Sequence, residues 1–272
     1  MDTLFDGILY KRNVKRFEQI KTVAAGFSDQ YIGHNIIQDD IFTVIENYAK
    51  TKGKPLEWLR LPIADEELCA CTFLRGGRIF VMLNSALSMS KQIFAAAHEL
   101  YHIRCYLEEN DQELATSGSI LESKTIDTGT SEEEEMEANA FAGLLLVPVD
   151  DLEQQIRIYR ISKEDMNIDG VLTLMEIFAV PYKAMVLRLL EESFITEEQA
   201  TKLLNIPADT IKERMRITDK AKRWDMKPAG YEQLGSLLEN LTFNTDTEAL
   251  PQSRLDADWT KLRQFMKKYG IE

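Results

Sequence analysis

Two of the chain's three histidines stand in His98-Glu99-Leu100-Tyr101-His102. A spacing of four sets both imidazoles on one face of a helix, one turn apart, where they can reach a single Zn²⁺ at roughly 2.0–2.1 Å. Glu99 then lies beside the metal rather than on it, placed to take a proton from a metal-activated water and return it to a leaving amine. That chemistry belongs to a zinc hydrolase. The plain alternative is a polar helix face that binds nothing.

A catalytic zinc usually takes three protein ligands and keeps one open position. His34, the remaining histidine, sits in a Gly-containing connection and reads as a surface residue. The longer HExxHxxGxxH pattern fails, because Cys105 stands where its glycine turn is needed and Glu108 where its third histidine would be. A carboxylate from the next helical segment is the better candidate. In Glu135-Met136-Glu137-Ala138-Asn139-Ala140-Phe141-Ala142, Glu135 shares a face with Ala138, Asn139 and Ala142, whose small side chains let two helices approach. Glu137 points away from that face. Glu134 lies over Ala138, Phe141 and Leu145 and is the fallback.

These side chains need elements to carry them. Residues 88–107 are helical in pattern, with Ser88 or Ser90 as N-cap and Ile93, Ala97, Leu100, Ile103 and Leu107 as an apolar stripe. The histidines point elsewhere, on a face flanked by Phe94 and Ala95. Before this helix, residues 64–74 and 78–84 are β-rich runs around Arg75-Gly76-Gly77, a hairpin signal, and residues 57–62 add a candidate third strand. The run at 78–83 leads directly into the helix, and as an edge strand it could pair with an extended peptide. The second helix begins near Ser131, a cap, and its acidic first turn, Glu132 to Glu135, suits the positive end of the helix dipole. It stops before Pro148. Amphipathic helices are expected near 9–27 and 39–52. Everything after Val149 is helical in pattern, broken at Pro181, Pro207, Pro228 and Pro251.

Composition narrows the class. With 272 residues, 44% hydrophobic and 28% charged, the chain suits one large soluble domain or one domain with an appendage. No apolar run approaches the roughly 18 residues that span a bilayer, and MDTLFDGILYKRNVKRF does not read as a secretory leader. Cys69, Cys71 and Cys105 are too few and too odd in number for a disulfide framework, which fits a reducing, cytoplasmic setting. The net charge of −13 excludes a protein whose whole surface binds nucleic acid. Residues 108–135 hold ten acidic residues against Lys124, so −9 of that charge sits there. The Ser/Thr/Gly-rich middle of this stretch reads as a long loop, either a solvated linker or a functional lid, and its charge could attract a basic DNA-binding partner.

Three weaker signals stand beside the motif. Cys105, seven residues after His98 on the same helical face, could bring a thiolate near the metal, or be a small buried thiol like Cys69 and Cys71. Residues 171–190, with a turn at Ala179-Val180-Pro181, resemble a helix-turn-helix but offer only Lys183 and Arg188 to phosphates, so packing is favoured. Residues 212–227 carry seven basic against three acidic residues, with Trp224 among them. A solvated helix face accounts for this, and a nucleic-acid activator is the alternative.

The segments RIFVMLNSALSMSKQIFAAAHELYH and EMEANAFAGLLLVP together resemble the ImmA/IrrE family of zinc-dependent metallo-endopeptidases. In that family a strand ending in Asn leads into the HExxH helix, and a second helix carries ExxANxFAxxLLxP. The resemblance covers roughly residues 30–205, including VLTLMEIFAVPYKAMVLRLLEESFI. It implies zinc on His98, His102 and Glu135, with Glu99 as general base. Glycine often stands in the family where this chain has Tyr101, and the acidic loop here is long. The resemblance further implies a cytoplasmic peptidase that cleaves a helix-turn-helix repressor and so switches on mobile-element, stress-response or phage-defence genes. The expectation is therefore an α+β protein, mostly helical, with a zincin-like peptidase core over 1–205 and a helical accessory region over 206–272. A non-catalytic zinc-containing regulator that holds a repressor or DNA is the alternative.

Overall fold

The computed structural model describes residues 5, 7–33, 36–65, 67–108, 121–122, 132–227 and 233–270. His34, Ser131, Pro228 and most of the acidic stretch lie outside them.

Gly76 and Gly77, at φ 57° and 77°, occupy the left-handed region that a two-residue hairpin turn demands. They join β2 (Leu68–Arg75) to β3 (Arg78–Asn84), which pair antiparallel with Arg75 opposite Arg78. β1 (Leu56–Leu61) runs parallel to β3 along its other side. Two short strands, β4 (Leu121–Glu122) and β5 (Gln233–Leu234), flank β2 and β1, so the order is β4-β2-β3-β1-β5. The edge position expected for β3 is therefore corrected: it is the central strand. Its second rim is taken by the 57–62 run, whose place in the sheet the sequence pattern had left open.

Asn84 closes β3 and organises the turn that follows. Its Oδ1 accepts the Ile63 and Ala86 N–H groups at 3.0 Å, and its Nδ2 donates to the Asp65 and Leu68 carbonyls at 2.9 Å. Fully buried and fully bonded, it fixes where the chain enters α4 (Met89–Glu108). Ser88 takes the N-cap position, its carbonyl accepting the Gln92 N–H at 3.1 Å. An apolar stripe on one face understates this helix, since residues 92–104 are all buried. The sheet, through β2 and β3, covers one side of α4; α3 (Ile41–Thr51) and α5 (Glu133–Leu146) cover others.

The N-terminal helical pattern is split at Asn13 into α1 (Leu9–Arg12) and α2 (Val14–Tyr31), and the Asn13 side chain caps α2 by accepting the Arg16 N–H. α2 packs against α5. Downstream come α6 (Val149–Ile158), α7 (Ile168–Phe178), α8 (Tyr182–Glu191), α9 (Glu197–Leu204), α10 (Ala208–Thr218), α11 (Lys222–Asp225), α12 (Leu237–Asp246) and α13 (Gln252–Tyr269). Pro148, Pro181, Pro207 and Pro251 are the N-caps of α6, α8, α10 and α13, where the helix does not need the missing N–H.

The turn at Ala179, left-handed at φ 55°, sets α7 and α8 at 101° to one another. Packing is what this pair does. Arg188, one of the two cations offered to phosphates, is buried, donates to the Val147 carbonyl at 3.1 Å and pairs with Glu191 and Glu192. Gly143 of α5 makes room for it: a Cβ there would stand 3.0 Å from Arg188 Cδ. Trp224 is buried as well, its Nε1–H donating to the Glu176 carbonyl at 2.8 Å, so its ring is not available for stacking on bases.

One apolar core runs from Phe5 to Trp224, and a small separate cluster, Leu241, Leu255 and Leu262, joins α12 to α13. The architecture is α+β, mostly helical around a small mixed sheet. Among the described residues no single helix is long and apolar enough to cross a membrane.

Candidate metal centre

His98 and His102 project from the middle of α4 and are 0% and 5% exposed. Their Nε2 atoms lie 3.2 Å apart. Glu135, in the first turn of α5, brings Oε2 to 3.3 Å from His98 Nε2 and Oε1 to 3.5 Å from His102 Nε2. One ligand atom from each of the three falls within 4.8 Å of the others, a set that could hold a metal ion.

The far side of each imidazole is also engaged. His98 Nδ1 is 3.0 Å from Asn139 Oδ1, and His102 Nδ1 is 3.0 Å from Glu134 Oε1. Both partners present acceptor oxygens, so the ring protons belong on Nδ1 and the Nε2 lone pairs turn inward. Two lone pairs and a carboxylate then converge with no donor among them, which is the donor set a divalent cation fits. Glu134, the fallback ligand, is an orienting group for His102. Asn139 is missed by the sequence reading in that role, being named there only as a small residue. The available signal was its position one turn beyond Glu135 on the same face.

Glu99 is fully buried, and neither carboxylate oxygen finds a hydrogen-bond partner among the described residues. Burial pushes its carboxyl up to about 7; the charge of Glu135 adds to this, while His102 and the nearby Thr72 hydroxyl oppose it. The carboxylate thus stands beside the metal-capable cluster without belonging to it.

Glu137 stays off the metal face, as its place two residues beyond Glu135 requires. It is not solvated, however: it accepts the Tyr101 hydroxyl at 2.5 Å and both Nε and Nη2 of Arg16, the latter at 2.7 Å. Tyr101 thus ties the HExxH helix to α5 and, through Arg16, to α2. Cys105 is half-buried and outside the three-ligand cluster, its Sγ 3.7 Å from Arg104 Nη2. Cys69 is buried in the core. Cys71 is half-buried, its thiol pushed up to about 11 by burial and by the charge of Glu99.

Residues 40–190 match the family model Peptidase_M78, described as the IrrE N-terminal-like domain. The match spans more than half of the chain and includes His98, Glu99, His102 and Glu135. The chain belongs to this metallopeptidase family. No curated protein matches it.

Proposed function

We propose that the protein is a zinc-dependent endopeptidase of narrow specificity whose substrate is a helix-turn-helix repressor, cleaved in the cytoplasm to release the genes it silences. The observation that carries the catalytic part is the convergence of His98, His102 and Glu135 beside a fully buried Glu99 that has no hydrogen bond to either oxygen among the described residues. Two imidazoles and one carboxylate make the donor set of a catalytic zinc. When bound, the metal supplies Lewis acidity that polarises the scissile carbonyl and acidifies water.

The chain's own residues do the rest. Glu99 accepts the proton of the attacking water and passes it to the leaving amine. Asn139 and Glu134 hold the two imidazoles in one tautomer and one orientation. Burial of α4 keeps bulk water from competing for these groups.

Support for a peptide substrate comes from β2, whose Thr72 neighbours Glu99. β4 pairs with it only at Leu68 and Ala70, and beyond Ala70 its outer rim has no strand partner among the described residues, so an extended peptide could extend the sheet there. The acidic stretch at 108–135 gives a basic DNA-binding protein a reason to approach. The repressor itself is what the family resemblance implies.

The test incubates the zinc-loaded protein and its Glu99→Gln variant with the repressor encoded beside it, with and without DNA, and reads the products by intact-mass spectrometry. A single cut made by the wild type alone supports the proposal. Stable binding with no cut in any condition favours the regulator reading instead.

A further inference from the structure

α4 supplies His98 and His102 to the metal cluster and α5 supplies Glu135, so the cluster is only as well formed as the seating of one helix on the other. Two of the polar contacts that fix this seating, His98 to Asn139 and His102 to Glu134, run through the ligands themselves. A third does not: the Tyr101 hydroxyl donates to Glu137 Oε2 at 2.5 Å. Tyr101 is next to His102 in the chain, and its ring lies edge-on to that imidazole, with 5.9 Å between centroids and 75° between planes. Glu137 stands two residues from Glu135 and two from Asn139. A shift of the Tyr101–Glu137 bond therefore moves groups on both sides of the cluster.

Glu137 is itself held. It is 7% exposed, and a carboxylate so placed needs strong donors. Arg16 supplies them as a fork, Nε on Oε1 at 2.5 Å and Nη2 on Oε2 at 2.7 Å, a geometry that fixes direction as well as balancing charge. Arg16 projects from the first turn of α2, and Asn13, the cap of that helix, donates through Nδ2 to Glu133 Oε1 at 3.4 Å. This helix lies before the residues that match the family domain, which begin at 40. Lys21, further along α2, pairs instead with Glu192 at the end of α8, at 2.8 Å.

We propose that Arg16 is a positioning residue for the metal centre: by anchoring Glu137 it holds Tyr101, and with it His102, in register with Glu135, so that the N-terminal helix sets how tightly the site binds zinc. This rests on the zinc reading of the site and adds to it a support from outside the matched domain.

Zinc affinity of the full chain is measured by competition with a chromophoric chelator, and the visible spectrum of the cobalt-loaded chain is recorded, for the wild type, Arg16→Met, Tyr101→Phe and Lys21→Met. A metal that binds only the folded chain keeps its Kd when stability falls, as long as nearly all molecules stay folded, and circular dichroism at the assay temperature checks that condition. Arg16→Met and Tyr101→Phe should each weaken zinc by about tenfold or more, the range for residues that orient ligands, and should shift the cobalt bands. Arg16→Lys, which keeps the charge but not the fork, should recover part of the loss. Lys21→Met, which breaks an ion pair of the same helix, should stay within about twofold of the wild type. Wild-type affinity in either Arg16→Met or Tyr101→Phe overturns the inference. So does an equal loss in Lys21→Met, which would trace the effect to α2 as a whole. A wild type that binds no zinc overturns the zinc reading itself, and this inference with it.

Discussion

The Nε2 atoms of His98 and His102 face one another at 3.2 Å while Asn139 and Glu134 hold the opposite ring nitrogens at 3.0 Å. Lone pairs brought that close repel, so the fold without metal carries a local cost that a bound cation removes. Metal should consequently raise thermal stability, by about 4 kcal/mol when the free ion is a thousandfold above its Kd. Differential scanning fluorimetry of chelated and zinc-loaded protein reads this. Asn139→Ala should weaken metal binding by roughly 10–100-fold, because the His98 ring loses the acceptor that fixes its tautomer.

Glu99 joins function to a stability cost. Fully buried, with no hydrogen bond to either oxygen among the described residues and only the Thr72 hydroxyl nearby to favour its charged form, Glu99 is among the more expensive groups a core can hold. Glu99→Gln should lower peptide cleavage by roughly 10²–10⁴-fold, the range that general acid–base catalysis supplies. The same substitution should raise the stability of the metal-free protein by about 1–3 kcal/mol. Urea denaturation checks the second effect, and a variant both inactive and less stable than wild type would argue that Glu99 is a structural residue.

Much of this centre was legible because it obeys helical periodicity. His98, Glu99 and His102 are fixed by a spacing of four within a segment whose ends, Ser88 and Glu108, the pattern also locates closely. Glu135 followed from a face shared with small residues. Glu137 was harder, because the reach of Tyr101 and Arg16 to it depends on how three helices pack and leaves no mark in any one of them. The place of β3 was misread for a similar reason: strand order is decided by long-range pairing, and the β1 run looks the same whether it sits at a rim or beside β3. β5, two residues long and far along a helical stretch, carries no pattern of its own. The Arg188 result shows the converse: the sequence counted it with Lys183 as a cation available to phosphates while favouring packing for the pair of helices, and only the fold shows it buried, donating to the Val147 carbonyl at the end of α5.

The last two helices hang on a second carboxylate. Glu57 of β1 accepts the Ser236 N–H at 2.9 Å, the Ser236 hydroxyl at 2.8 Å and Arg78 Nη1 at 2.6 Å. Burial alone would raise its pKa, but these donors outweigh it and hold the carboxyl below its ordinary value of 4.5. A depressed folded pKa contributes stability that is present above the unfolded value and lost as pH falls through the folded one. Acidification from pH 5 to about pH 3 should therefore loosen residues 233–270 before the main core. Hydrogen exchange across that range reads the order of opening, and Glu57→Gln should reproduce the loosening at neutral pH. Gly235 is under a related constraint: at φ 57° a Cβ would stand 2.5 Å from Glu57 Oε2, so Gly235→Ala should act in the same direction.

Arg16 and Tyr101 meet on Glu137, a nearly buried carboxylate with two different donors. Arg16→Met removes the only counter-charge of the pair and should destabilise by about 1–3 kcal/mol, less than a fully buried pair because Arg16 is partly exposed. Tyr101→Phe should cost less, about 1 kcal/mol. A double-mutant cycle should show coupling between them; strict additivity would mean that the two donors hold Glu137 independently.

The central claim is that His98, His102 and Glu135 form one metal site that Glu99 serves without ligating. Metal content after zinc loading and desalting tests it directly, measured on the wild type and on His102→Ala, Glu135→Ala and Glu99→Gln, with cleavage assayed on the same samples. One zinc per chain in the wild type and in Glu99→Gln, loss of zinc from the other two, and cleavage by the wild type alone is the predicted result. Zinc retained by Glu135→Ala, or cleavage by Glu99→Gln, would contradict the account.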